Sequence, residues 1–214
     1  MIRVRYLVFL VVMLKIIRAD RPNQTLVSVY YESKCPDSKN FIKDQLLPAL
    51  VLLRDYVRIK WIPFGKAHSV QNRYFECQHG PTECAGNMVQ SCTIASMYGK
   101  FDDMTIANYV NCEMQTQSGT RGDSTCFHIA GVDTNLVADC LRSGKGISLQ
   151  LDYEYLTNLV RPKFIPAITF DGIYNKQIDE ASFKDLTGTL CSYMRYAPPP
   201  CSQFYNPLNI PYAL

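Results

Sequence analysis

Leu26-Val27-Ser28-Val29-Tyr30-Tyr31 is an apolar run that reads as a strand. Beyond it Phe41, Ile42, Gln45, Leu46, Ala49, Leu50 and Leu53 recur at helical spacing, with Pro48 inside the stripe predicting a kink. Val57-Arg58-Ile59-Lys60-Trp61-Ile62 alternates as a strand until Pro63 and Gly65 break it. Two strands joined through a helix of this length predict a right-handed parallel unit. Near the other end, 166–170 reads as a strand, Asp171-Gly172 as a tight turn and 173–175 as a returning strand, the strongest hairpin signal in the chain. A helix over 179–190 follows, with Ala181, Phe183, Leu186 and Leu190 on one face.

Between these blocks, at about 66–164, lies a cysteine-containing insertion whose helical stretches are 82–98, 104–115, 134–141 and 148–159. A strand-helix-strand block, a helical insertion and a hairpin-helix block make an α/β, thioredoxin-like plan with a large cysteine-rich helical insertion. The expected organisation is a targeting segment at 1–19, one domain at 20–196 and a Pro-rich tail at 197–214, irregular and pinned by Cys201.

The targeting segment changes the charge picture. Arg3 and Arg5 precede an apolar stretch at 6–14, and Ala19 offers a small residue for cleavage, so the segment reads as a secretory signal peptide. A signal anchor is the alternative, but the apolar run is far short of the ~20 residues that span a bilayer. No stable membrane insertion is expected once the segment is removed. Its loss would take the formal charge from +3 to about −1, so no nucleic-acid partner is inferred. Asn23-Gln24-Thr25, just past the cleavage point, makes Asn23 a candidate glycosylation site.

Nine cysteines in a chain bound for the secretory pathway imply disulfides. Cys35-Pro36-Asp37-Ser38 places one sulfur where a strand hands over to a helix, where the unpaired N–H groups of the first turn favour thiolate over thiol. If Cys35 is free, then Cys77, Cys84, Cys92, Cys112, Cys126, Cys140, Cys191 and Cys201 are an even set of structural half-cystines, for which 105 pairings are possible. Ser38 stands where a C-x-x-C redox motif has its second cysteine, and its hydroxyl is expected to support the Cys35 thiolate. The plainer readings are a buried structural thiol or the end of a disulfide bridge at Cys35 and a helix-start polar residue at Ser38. In a thioredoxin-like plan, Ile165-Pro166 is a cis-proline segment, with Pro166 organising the substrate strand and Ile165 facing Cys35 as a substrate-binding position.

Cys77-Gln78-His79-Gly80-Pro81-Thr82-Glu83-Cys84-Ala85-Gly86-Asn87-Met88-Val89-Gln90-Ser91-Cys92 matches C-Q-H-G-x2-E-C-x2-N-x4-C at all eight fixed positions. On this motif the chain resembles the gamma-interferon-inducible lysosomal thiol reductases (GILT), over about 26–191. The resemblance implies a soluble glycoprotein of the lysosomal, endosomal or extracellular compartment that reduces disulfides in protein substrates at acidic pH, in antigen processing or innate defence. Active members carry two cysteines where this chain has Cys35 and Ser38. Release of a captured substrate then needs an external small thiol such as glutathione or cysteine, with no bound cofactor. The rival reading is a non-catalytic binding protein that keeps the fold. His79 with Cys77, Cys84 and Cys92 has the residue types of a zinc set, but spacing and compartment favour disulfides, so no metal is assigned. His79, Glu83 and Asn87 are read as shaping the stapled turn. His68 and His128 are read as surface or supporting residues, and Trp61 as core.

Overall fold

Strand β1 (Thr25–Tyr31) lies between a parallel partner, β2 (Val57–Pro63), and an antiparallel one, β5 (Ala167–Phe170). The computed structural model describes residues 24–204; the expected signal segment, Asn23 and positions 205–214 lie outside them. A central strand covered on both faces explains the unbroken apolar run. Val27, Val29 and Tyr31 face a cluster that includes Ile59, Trp61, Leu50, Ile94 and Tyr109. Tyr30 faces the other way, into a smaller cluster with Ile62, Tyr153, Ile165 and Cys35.

The connection from β1 to β2 is helical from 36 to 53 but not uniformly so: α1 (Pro36–Phe41), a π segment (Ile42–Leu46) and α2 (Leu47–Leu53). The widened turn directly precedes Pro48, whose ring and missing N–H interrupt the α-helical ladder, so the expected kink takes the form of a π bulge. The insertion opens with a two-stranded hairpin, β3 (His68–Val70) and β4 (Tyr74–Glu76), turned by Gln71 and Asn72 at positive φ. These three-residue strands carry too little periodicity to be seen in sequence. Helices α3 (Pro81–Met97), α4 (Asp103–Thr116), α5 (Thr125–Ala130), α6 (Thr134–Arg142) and α7 (Lys145–Val160) follow. Ile94, Ile106, Tyr109 and Val110 from this insertion share one cluster with β1, β2 and α2, so the insertion completes the core.

Two expectations at the C-terminal end need correction. Asp171 and Gly172 adopt the positive φ that their dipeptide predicts, yet no strand returns: beyond them there is a single bridge from Phe170 to Ile173. β5 pairs with β1, and the outgoing chain is taken up by Asn175, whose Oδ1 accepts the N–H groups of Gln177 and Ile178 to start α8 (Lys176–Lys184). The helix expected over 179–190 is two helices. Asp185 leaves helical geometry and its Oδ1 accepts the Gly188 N–H, capping α9 (Leu186–Tyr193). A 3₁₀ stretch at Pro199–Phe204 holds Cys201 against α9. No helix among the described residues is long and apolar enough to cross a membrane.

The eight cysteines other than Cys35 pair as Cys77–Cys84, Cys92–Cys140, Cys112–Cys126 and Cys191–Cys201. Non-reducing peptide mapping should return these four pairs with alkylation at Cys35 alone. Leu50 on α2 is fully buried and Val51 beside it is 71% exposed. Leu50→Ala should lower the unfolding free energy in urea by about 2–5 kcal/mol, whereas Val51→Ala should stay within about 0.5 kcal/mol of the parent.

Candidate active site around Cys35

Cys35 is the N-cap of α1, with extended backbone and Pro36 at the first helical position. Its sulfur accepts the Ser38 N–H at 3.4 Å, and as a thiol it donates to the carbonyl oxygen of Ile165 at 3.6 Å. The residue is buried, with 6% of its surface exposed. The Ile165-Pro166 peptide bond is cis and leads directly into β5, which brings that carbonyl to the sulfur. Ile165 meets the Cys35 sulfur through its backbone carbonyl, and its side chain is buried in the smaller cluster that also holds Cys35.

Ser38 does not act as its sequence position suggests. Its hydroxyl oxygen accepts the Glu32 N–H at 3.4 Å, and the group facing the Cys35 sulfur is the Ser38 backbone N–H. The side chain is fully buried and ties the helix start back to the end of β1.

The segment Glu32–Lys34, which sets where the sulfur sits, is held by the first turns of α3. The Ser33 N–H donates to Asn87 Oδ1 at 2.8 Å, the Ser33 hydroxyl to the Glu83 carbonyl at 2.9 Å, and Lys34 Nζ to Thr82 Oγ1 at 2.9 Å. The Cys35 N–H donates to the Glu32 carbonyl at 3.2 Å. Gly86 permits this approach: a Cβ there would lie 2.5 Å from the Ser33 hydroxyl oxygen. Gly65, at positive φ, similarly lies against the Glu32 side chain, where a Cβ would collide. Asn87 and Glu83 thus position the active loop, a role beyond shaping their own turn.

Sequence reasoning missed Glu32. Its carboxylate accepts the Lys66 N–H at 2.8 Å and lies 3.5 Å from His79 Nδ1, which is itself 2.6 Å from Glu83 Oε1. The His79 N–H donates to the other Glu83 oxygen at 3.0 Å. Both carboxylates are buried, whereas His79 is exposed. Its only sequence signal is a charged residue at the end of an apolar strand, three before Cys35. Ligand-type atoms of Glu32, His79 and Glu83 lie within 4.8 Å of one another, close enough to surround a cation. The same atoms are already engaged with one another and with backbone N–H groups, so the arrangement serves as a clamp. The cysteines near His79 are in disulfides and supply no thiolate. His68 and His128 are exposed, and Trp61 is fully buried.

Two hollows flank the sulfur and the proline. One, of about 410 Å³, is lined by Cys35 with residues of 33–39 and 114–121. The other, of about 380 Å³, is lined by Pro166 with Phe164, Tyr174, Phe183 and several charged side chains.

Burial pushes the Glu32 carboxyl above its usual range, and the neighbouring Glu83 charge adds to this, against the Lys66 N–H and His79. A raised folded-state pKa means that the folded protein holds this proton more tightly than the unfolded chain does. The stability it contributes is complete below the ordinary glutamate range, about 4.3, and is lost as pH rises through the raised value. Glu32→Gln keeps an acceptor for the Lys66 N–H and removes the titration. The fall in melting temperature from acid to neutral pH should be smaller in the variant than in the parent; an equal fall would show that Glu32 does not titrate in this way.

Residues 26–130 match the family model described as gamma interferon inducible lysosomal thiol reductase (GILT). The chain is 31% identical over 191 residues to a gamma-interferon-inducible lysosomal thiol reductase-like protein of Anopheles gambiae, covering 82% of this chain and 79% of that one. It is 31% identical over 206 residues to GILT-like protein 1 of Drosophila melanogaster, covering 86% and 81%. It is also 29% identical over 185 residues to the gamma-interferon-inducible lysosomal thiol reductase of Carassius auratus, covering 83% and 72%. Among solved structures, reduced DsbG of Mycobacterium tuberculosis superposes with a TM-score of 0.53 at 13% identity, covering 86% of this chain and 88% of that one. Oxidised Mtb DsbA gives 0.50 at 15% identity, covering 77% and 83%. The fold is thioredoxin-like, and the chain belongs to the gamma-interferon-inducible lysosomal thiol reductase family.

Proposed function

We propose that this protein is a thiol-disulfide oxidoreductase that works on protein disulfides through Cys35 alone and relies on an external small thiol, glutathione or cysteine, to complete each cycle. The observation that carries this reading is the single free sulfur, capped by the Ser38 N–H and set against the Ile165 carbonyl, with serine on the adjoining turn. The Cys35 thiolate attacks one sulfur of a substrate disulfide, forming a mixed disulfide and expelling the other substrate sulfur as thiolate. Ser38 has no sulfur with which to attack that bond. Pro166 and the backbone at Ile165 border the approach, where an extended substrate chain would lie. Family membership favours an acidic endosomal or lysosomal compartment, or secretion from the same pathway.

Turnover is the test. With glutathione present, the purified protein should reduce a protein disulfide over many cycles, and Cys35→Ser should fall to the uncatalysed rate. Ser38→Cys restores an intramolecular resolving thiol, whose effective concentration greatly exceeds that of a free thiol, so reduction under limiting external thiol should rise by at least about tenfold. Stoichiometric capture without turnover in the parent would instead identify a non-catalytic binding protein.

A further inference from the structure

We propose that the hollow beside Cys35 is a binding site for a small thiol that carries carboxylate groups, the co-reactant that releases the captured substrate. The inference rests on the one-sulfur reading above and names where its second reactant binds.

The first argument is charge. Lys34, Lys39 and Arg121 line the hollow with Cys35, and no carboxylate lines it. None of the three forms an ion pair within 4.0 Å among the described residues. Lys34 donates to a neutral hydroxyl, that of Thr82. The Arg121 charge reaches Glu113 and Asp123, but neither forms an ion pair with it within 4.0 Å: Glu113 accepts the Ser118 hydroxyl and Gly119 N–H, and Asp123 accepts the Thr125 N–H and hydroxyl. Three cations without a close ion-pair partner beside a nucleophilic sulfur raise the local concentration of an anionic reactant and fix its orientation.

Size and position agree with charge. About 410 Å³ lies within the roughly 300–1,000 Å³ of small-molecule sites. That is room for a tripeptide thiol and not for a folded chain. Pro166 lines the other hollow, so a substrate chain running along Pro166 leaves this one open to a second reactant.

The chemistry balances with two equivalents of the small thiol. The first, as thiolate, attacks the Cys35 sulfur of the mixed disulfide. The bond to the substrate breaks, the substrate leaves as thiolate and takes up a proton, and a Cys35–small-thiol disulfide forms. A second thiolate attacks the sulfur of the bound small thiol, restoring the Cys35 thiolate and leaving the small-molecule disulfide. The substrate disulfide is reduced by two electrons and two small thiols are oxidised.

The test starts from the Cys35 mixed disulfide with a fluorescent reporter peptide, prepared in the parent and in the Lys39→Glu/Arg121→Glu double variant. Release is timed at one pH near neutrality with glutathione, which bears carboxylates, and with cysteamine, which is cationic. The glutathione-to-cysteamine rate ratio should fall at least about tenfold in the double variant, and the parent's glutathione rate should fall with added salt. Lys39→Gln/Arg121→Gln, which reverses no charge, should show a smaller fall of the same sign. An unchanged ratio, including equal loss with both thiols, overturns the site while leaving the one-sulfur reading intact. Failure of Cys35 to form the mixed disulfide at all overturns both.

Discussion

A sulfur can act as a directed nucleophile only where its donors and its line of approach are held still, and here both depend on how four residues between a strand and a helix are pinned. Glu32 to Cys35 leave β1 and turn into α1 while hydrogen-bonded on one side to α3 through Asn87, Glu83 and Thr82. On the other side the sulfur meets the carbonyl before Pro166, delivered by a strand more than a hundred residues further along. The eight-position motif that marks the family is thus the rear support of the active loop. Its disulfide, Cys77–Cys84, staples the turn from which Glu83 and His79 reach Glu32.

Burying two carboxylates side by side is costly unless each finds donors or a proton. Backbone N–H groups of Lys66 and His79, together with the His79 ring, meet that need, and the raised Glu32 carboxyl reflects the part left over. The cluster is most comfortable when acid supplies the proton.

Serine at position 38 fits within this frame, and on the one-sulfur reading it removes one step of the cycle. Ser38 is fully buried and its oxygen bonds to the chain of Glu32, so the position has been absorbed into the structure that holds the sulfur. On the one-sulfur reading proposed above, the second reactant would arrive on the open side of Cys35, which Lys34, Lys39 and Arg121 line.

Local patterning determined a great deal. Apolar runs and helical stripes located β1, β2 and most of the long helices, because burial repeats with the period of the element that creates it. The odd cysteine count and the strand-to-helix position singled out Cys35, since both are properties of the chain alone. Where short polar side chains decide the path, periodicity misled: Asn175 ends a would-be hairpin and Asp185 divides a would-be helix by accepting backbone N–H groups that apolar spacing does not register. Only the tertiary structure decided the disulfide partners, the insertion's share in the core, the approach of α3 to the active loop and the burial of Glu32. Each of these joins residues distant in sequence through packing, and nothing in the neighbourhood of one partner specifies the other.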